Sequence, residues 1–138
     1  MSLYEQDFYQ WTQEQAALLK TGALSQLDIV NLIEEIESMG RSEKRELRSR
    51  LTVLIMHLLK WEYQPEFQCR NWENTLFTQR REIELVLMDN PSLKSTLSNV
   101  IQESYPLSLK KAAFETGIPE SSFPETCPYS IKKIMGES

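Results

Sequence analysis

Histidine is the scarcest ionisable residue in this chain: there is one, His57. A single imidazole cannot supply the histidine-rich ligand sets of zinc enzymes. The Glu-x-x-His pairs of di-iron bundles are excluded as well, because Leu54 stands three residues before His57. The two cysteines, Cys69 and Cys127, lie far apart and are expected to be free thiols. No phosphate-binding glycine loop, GxGxxG turn or GxSxG elbow occurs. No cofactor and no metal ion is therefore expected. No apolar run approaches the ~20 residues that span a bilayer. The first residues also lack the basic region and apolar core of a secretion signal. The expectation is a cytoplasmic protein that does not enter a membrane.

What is present is ordinary for a soluble globular protein: 41% hydrophobic and 25% charged residues in 138. One helical domain over residues 1–138 is expected, with 118–138 as a C-terminal docking tail. The chain is organised around Ser42 to Tyr63. Leu47, Leu51, Leu54, Leu58 and Trp61 fall on one face of a helix at 100° per residue, and Val53, Ile55, Met56 and Leu59 carry apolar surface around the rest. A helix apolar nearly all round is buried on most sides. The fold class is all-α: a bundle of about five to six helices around a central apolar helix, residues 43–63, with an extended Pro-rich C-terminal segment.

Punctuation divides the remainder. Asp7, with Gln10 at capping-box distance, starts a first helix that runs to about Lys20, and Ser2 with Glu5 offers a competing start. Tyr4, Phe8, Tyr9 and Trp11 are expected to form a packing anchor. Ser25 and Asp28 open a second helix whose apolar face is Ile29, Leu32, Ile33, Ile36 and Met39. Gly40 is placed to end it, and Ser42 to cap the central helix, so the two are expected to form a tight αα-hairpin. Pro65 ends the central helix near Tyr63. A fourth helix covers about Asn71 to Met88, and Asn90-Pro91 opens a fifth. Pro106 either kinks that fifth helix or starts a sixth, and Gly117 ends the pattern. Phe123 and Tyr129 dock the tail, and Ser130 caps a last turn.

The expected hairpin places Glu37 beside Arg45 and Glu34 beside Arg48, with His57 roughly 20 Å further along. Those acids and the histidine then cannot share an ion. The same register brings Asp28 level with His57, and the returning fourth helix brings Gln79 and Arg80 to that level. Gln79 interrupts an apolar arc between Leu76 and Ile83. Asp28, His57, Gln79 and Arg80 are therefore a candidate polar layer. It is either a titrating pocket or a satisfied network that fixes helix register. Arg41, Lys44, Arg45 and Arg48, continued by Arg50, form a candidate interaction surface. With Glu43 and Glu46 interleaved and a chain net charge of −5, nucleic acid is not the expected partner for it.

Five stretches resemble a known family: Tyr4–Trp11 (YEQDFYQW), Leu32–Leu47 (LIEEIESMGRSEKREL), His57–Pro65 (HLLKWEYQP), Pro91–Leu93 (PSL) and Phe123–Tyr129 (FPETCPY). The family is bacterial, common in cyanobacteria, and catalogued as domain of unknown function twenty-nine. The resemblance implies a small, mostly helical, cytoplasmic bacterial protein and brings no activity, ligand or site residue. The residues themselves favour a non-enzymatic interaction or regulatory module, binding a protein partner or a second copy of itself. One alternative is a small-ligand binder or enzyme using His57. Another is a nucleic-acid-linked regulator using the Arg41–Arg50 surface.

Overall fold

The computed structural model describes residues 1–137. Six α-helices occur among them: α1 (Leu3–Gln6), α2 (Phe8–Thr21), α3 (Ile29–Tyr63), α4 (Arg70–Asp89), α5 (Leu97–Thr116) and α6 (Ile131–Ile134). Short 3₁₀ turns link several of them, and no strand is present among the described residues. The all-α class follows. One domain is the expectation from sequence; the contacts group into two units, Met1–Ser42 and a second that begins at Glu43.

The main correction concerns α3. It runs 35 residues without a break from Ile29 to Tyr63. The expected αα-hairpin at Gly40 is absent. Gly40 is an ordinary helical residue, since the positive-φ glycines are Gly22, Gly117 and Gly136. A mid-helix glycine costs only about 0.5–1 kcal/mol relative to alanine, less than a whole helix loses by stopping and starting again. Ser42 lies within the helix and caps nothing. The true start lies about one turn later than the Ser25 reading implies. Asp28 accepts the amide of Asn31 at 3.4 Å, and Ser25 sits in a 3₁₀ turn.

In the first unit, Asp7 caps α2 by accepting the Gln10 amide at 3.0 Å, and Gly22 ends it at φ 75°. The helix before it, α1, follows Ser2, so both expected starts are used. The links between α2 and α3 are polar. The Trp11 indole donates to Asp28 Oδ2 at 3.0 Å, and Gln15 Oε1 accepts the Asp28 amide at 2.8 Å. Tyr4 donates to Glu35. Tyr4 packs edge-on against Trp11, and Phe8 stacks on Trp11, so three of the four expected anchor aromatics do meet. Tyr9 is exposed.

In the second unit the later part of α3 is the centre. Leu47, Leu51, Leu54, Ile55 and Leu59 are all fully buried. Ile83 comes from α4, Val100, Ile101 and Tyr105 from α5, and Ile134 from α6. Ser104 and Ser108 are buried on α5, one turn apart. Ser108 Oγ donates to the Thr52 carbonyl of α3 at 2.9 Å. Such short side chains let two backbones approach, and their hydroxyls are satisfied by helix carbonyls. Pro106 neither breaks nor restarts α5, which continues through it to Gly117 at φ 76°. Asn90 makes no cap; its amide donates to Val86 and Glu43 instead. Lys60, inside the apolar stretch, is buried. It pairs with Glu115 at 3.1 Å and lies 4.8 Å from the centre of the Trp72 ring.

The continuous helix gives Gly40 a definite signature. Gly40→Ala is expected to raise stability by about 0.5–1 kcal/mol, because alanine is the better helix former and a Cβ there meets open space. A left-handed cap at Gly40 would give a loss instead. Thermal unfolding followed by circular dichroism separates the two signs.

Candidate functional site

The expected polar layer is dispersed into separate local roles. With no chain reversal in α3, the pairing of Asp28 with His57 loses its basis. Asp28 is occupied by Trp11, Asn31 and Gln15. The Asn31 amide and the indole hold its carboxyl below the usual carboxylate range. His57 Nδ1 lies 2.9 Å from the Val53 carbonyl one turn back, so that nitrogen carries the proton. Burial is the main influence on His57 and lowers its pKa, opposed by the Val53 bond; nearby Lys60 lowers it further and Glu115 raises it. Gln79 Oε1 is buried without a hydrogen-bond partner. Its place in an apolar arc was the visible signal.

Arg80 acts as a clasp. Its Nε donates to the Ile134 carbonyl at 2.8 Å and its Nη2 to Lys133 at 3.3 Å. The guanidinium lies 3.1 Å from where a Cβ on Gly136 would stand, and Gly136 has φ 75°. Ser130 caps α6 by accepting the Lys133 amide at 3.1 Å. Tyr129 donates to Glu62 at 2.5 Å and approaches the Leu58 carbonyl, and Phe123 packs on Tyr63. Burial and the Glu62 contact push the Tyr129 phenol up, and burial alone raises the Cys127 thiol. A thiol held protonated is a poor nucleophile. The depression beside the clasp is lined by Leu58, Trp61, Leu76, Phe77 and Met135, with charges at its rim. Of those rim charges, Arg80 is engaged by carbonyls and Arg81 by Glu84 at 3.3 Å.

The basic series is likewise redistributed. Arg41 pairs with Glu34 at 3.1 Å along its own helix, and Arg48 lies 3.9 Å from Glu103 of α5. The expected pairs Glu37–Arg45 and Glu34–Arg48 required the hairpin and are not formed. Arg50 keeps the expected Glu46 partner at 3.4 Å and reaches Glu82 at 3.9 Å. Among the described residues no three His, Cys, Asp or Glu side chains gather as a metal site, and no helix is long and apolar enough to cross a membrane.

The surface the sequence reading assigned to a core is open. Ile29 is 52% exposed, Val30 77%, Ile33 51%, Ile36 62% and Met39 61%. On α2, Phe8 and Leu19 are also exposed. Trp11 and Gln15 of α2 both bond Asp28 at the start of α3, while Tyr4 of α1, just before α2, reaches Glu35 further along α3, so the chain entering α2 runs antiparallel to α3. Turning about either axis from that line, toward higher residue angle at 100° per residue, leads to Phe8 and Leu19 on α2 and to Ile36, Ile29 and Ile33 on α3. In an antiparallel pair both turns lead to the same side. The first unit thus presents one apolar face. Its remaining surface is acidic: seven Asp or Glu against Lys20 and Arg41, which accounts for the whole net charge of −5.

Over residues 3–138 the chain matches the family described as Domain of unknown function DUF29, and it belongs to that family. No curated protein and no solved structure matches it.

Two outcomes follow from this geometry. His57 is expected to titrate below 6.5, its ordinary value, in an NMR pH series. The unfolded chain then takes up the proton first, so stability is full above about pH 6.5 and declines as pH falls through that value. Arg80→Ala is expected to cost about 1.5–3 kcal/mol, as for lost hydrogen bonds from a charged donor. It should also speed tryptic cleavage at Lys132 and Lys133; unchanged cleavage would refute the clasp.

Proposed function

We propose that this family member is a non-enzymatic protein-interaction module whose contact surface is the apolar face of the first unit. The observation that carries the reading is the exposure of Ile29, Val30, Ile33, Ile36 and Met39 on one stretch of helix. Scattered exposed apolar residues are normal, but a contiguous patch marks a site of association. Two helices forming a single layer cannot bury an apolar side between themselves, and layers of this kind are covered by another layer.

The polar groups support the same reading. Asp28, His57, Arg80 and Lys60 each have partners that hold the fold together. A regulatory role fits such a module if occupation of the face is what changes.

A photo-crosslinking amino acid at position 36, introduced in the cell that makes the protein, is expected to give a covalent adduct of defined mass on illumination. The same group at Ser98, an exposed site on α5, serves as control. Equal and diffuse labelling at the two positions would end the interaction reading.

A further inference from the structure

We infer that the occupant of this face is a second copy of the chain, joined to the first through antiparallel packing of the 29–40 stretches of α3 about a two-fold axis. This inference rests on the interaction reading above and adds the identity of the partner.

The spacing of the apolar positions carries the argument. Ile29, Ile33, Ile36 and Gly40 follow one another at intervals of four, three and four, the seam of a coiled coil. That order is the same read forward or backward. When two such stretches run antiparallel, Ile33 of each copy meets Ile36 of the other. Ile29 meets Gly40, and Val30 comes level with Met39. Every large seam residue then faces an apolar or small one. Gly40 exposes an open helix surface on which a Cβ would touch nothing, which leaves room for Ile29 of the second copy. A two-fold axis requires this kind of self-complementarity, whereas an unrelated partner does not.

The charges are compatible with the register. Arg41 comes level with position 28 of the second copy, and both charges there are already matched within their own chain, Arg41 by Glu34 and Asp28 by Trp11 and Asn31. Glu34 of each copy comes level with Glu35 of the other, and Glu37 with Leu32, but at 100° per residue Glu34 and Glu35 turn well away from the seam on opposite flanks. The area also suffices. Five α3 side chains with Phe8 and Leu19 present several hundred Å² of apolar surface, on the order of the roughly 800 Å² that each partner gives to a standard interface. Adding a second two-helix layer completes a four-helix arrangement, the usual way such a layer is covered.

Acidity gives the assembly a recognisable salt response. Each first unit carries the chain's full net charge of −5, so bringing two together sets like charges near each other. Added salt screens that repulsion and strengthens association. A basic amphipathic helix seated on the same face would be released by salt instead.

The test is sedimentation equilibrium of the full chain over a range of concentration at low and high salt. The expected result is a species of twice the 16.2 kDa chain mass, favoured by salt. The double variant Ile33→Asp, Ile36→Asp is expected to weaken the dimer by two orders of magnitude or more, since it buries unpaired carboxylates. Ser38→Asp, on the opposite side of the helix, is expected to leave it intact. Both sites are exposed in the single chain, so circular dichroism should show the variants folded. A monomer at all concentrations, or a dimer insensitive to the double variant, overturns the inference. If the crosslink at position 36 then yields an adduct heavier than one chain but not of two, the interaction reading stands and only the second copy is lost. If no adduct forms either, both fall.

Discussion

The stretch 51–59 of α3 is apolar on nearly every side, and that single constraint shapes the second unit. Leu47, Leu51, Leu54, Ile55 and Leu59 have no exposed area, so the helix must be enclosed. One neighbouring helix covers one stripe of another. Enclosure therefore requires α4, α5 and the C-terminal segment together. Ile83, Val100, Phe123 and Ile134 arrive from those different elements to meet the same axis. The polar side chains within that core serve the enclosure. Ser104 and Ser108 direct their hydroxyls to helix carbonyls, and the Lys60 ammonium is shared between Glu115 and the Trp72 ring.

The earlier part of α3 obeys a different balance. It has a polar contact line toward α2, built from Asp28, Gln15, Trp11, Tyr4 and Glu35, and an apolar side that this contact leaves uncovered. The residues that would normally form a small core therefore stand at the surface. The charge division runs along the same boundary. The first unit holds the chain's entire negative excess, while acids and bases balance in the second. One helix thus contributes a core in one half and an uncovered apolar face in the other, with the same residue types in both.

Local signals were legible and held. Asp7, Gly22, Gly117 and Ser130 act within a turn of where they stand, through one side-chain oxygen or one left-handed backbone conformation. Phe123 and Tyr129 were also readable as anchors, because bulky aromatics in a Pro-rich segment have few other places to go. Gly40 and Ser42 misled. Each is a permitted stop or start, but neither is an obligatory one, and helix propagation through them is cheap. That one error displaced the candidate site, since the Asp28–His57 layer and the Glu–Arg pairs depended on a reversal at Gly40.

The sequence by itself determined the helical class, the nearly all-round apolar character of residues 51–59 and most helix ends, because these depend on periodicity and on groups a few residues apart. Tertiary structure decided what those elements meet. Pro106 stays within α5 because Tyr105, Ser104 and Ser108 on either side of it are fixed in the core. Arg80 became a clasp only because the C-terminal segment places two carbonyls and the bare backbone of Gly136 beside it. Arg48 found Glu103 from another helix. Above all, the Ile29–Met39 face is apolar by sequence, but whether an apolar face is core or surface depends on what packs across it, and periodicity within one helix carries no record of that.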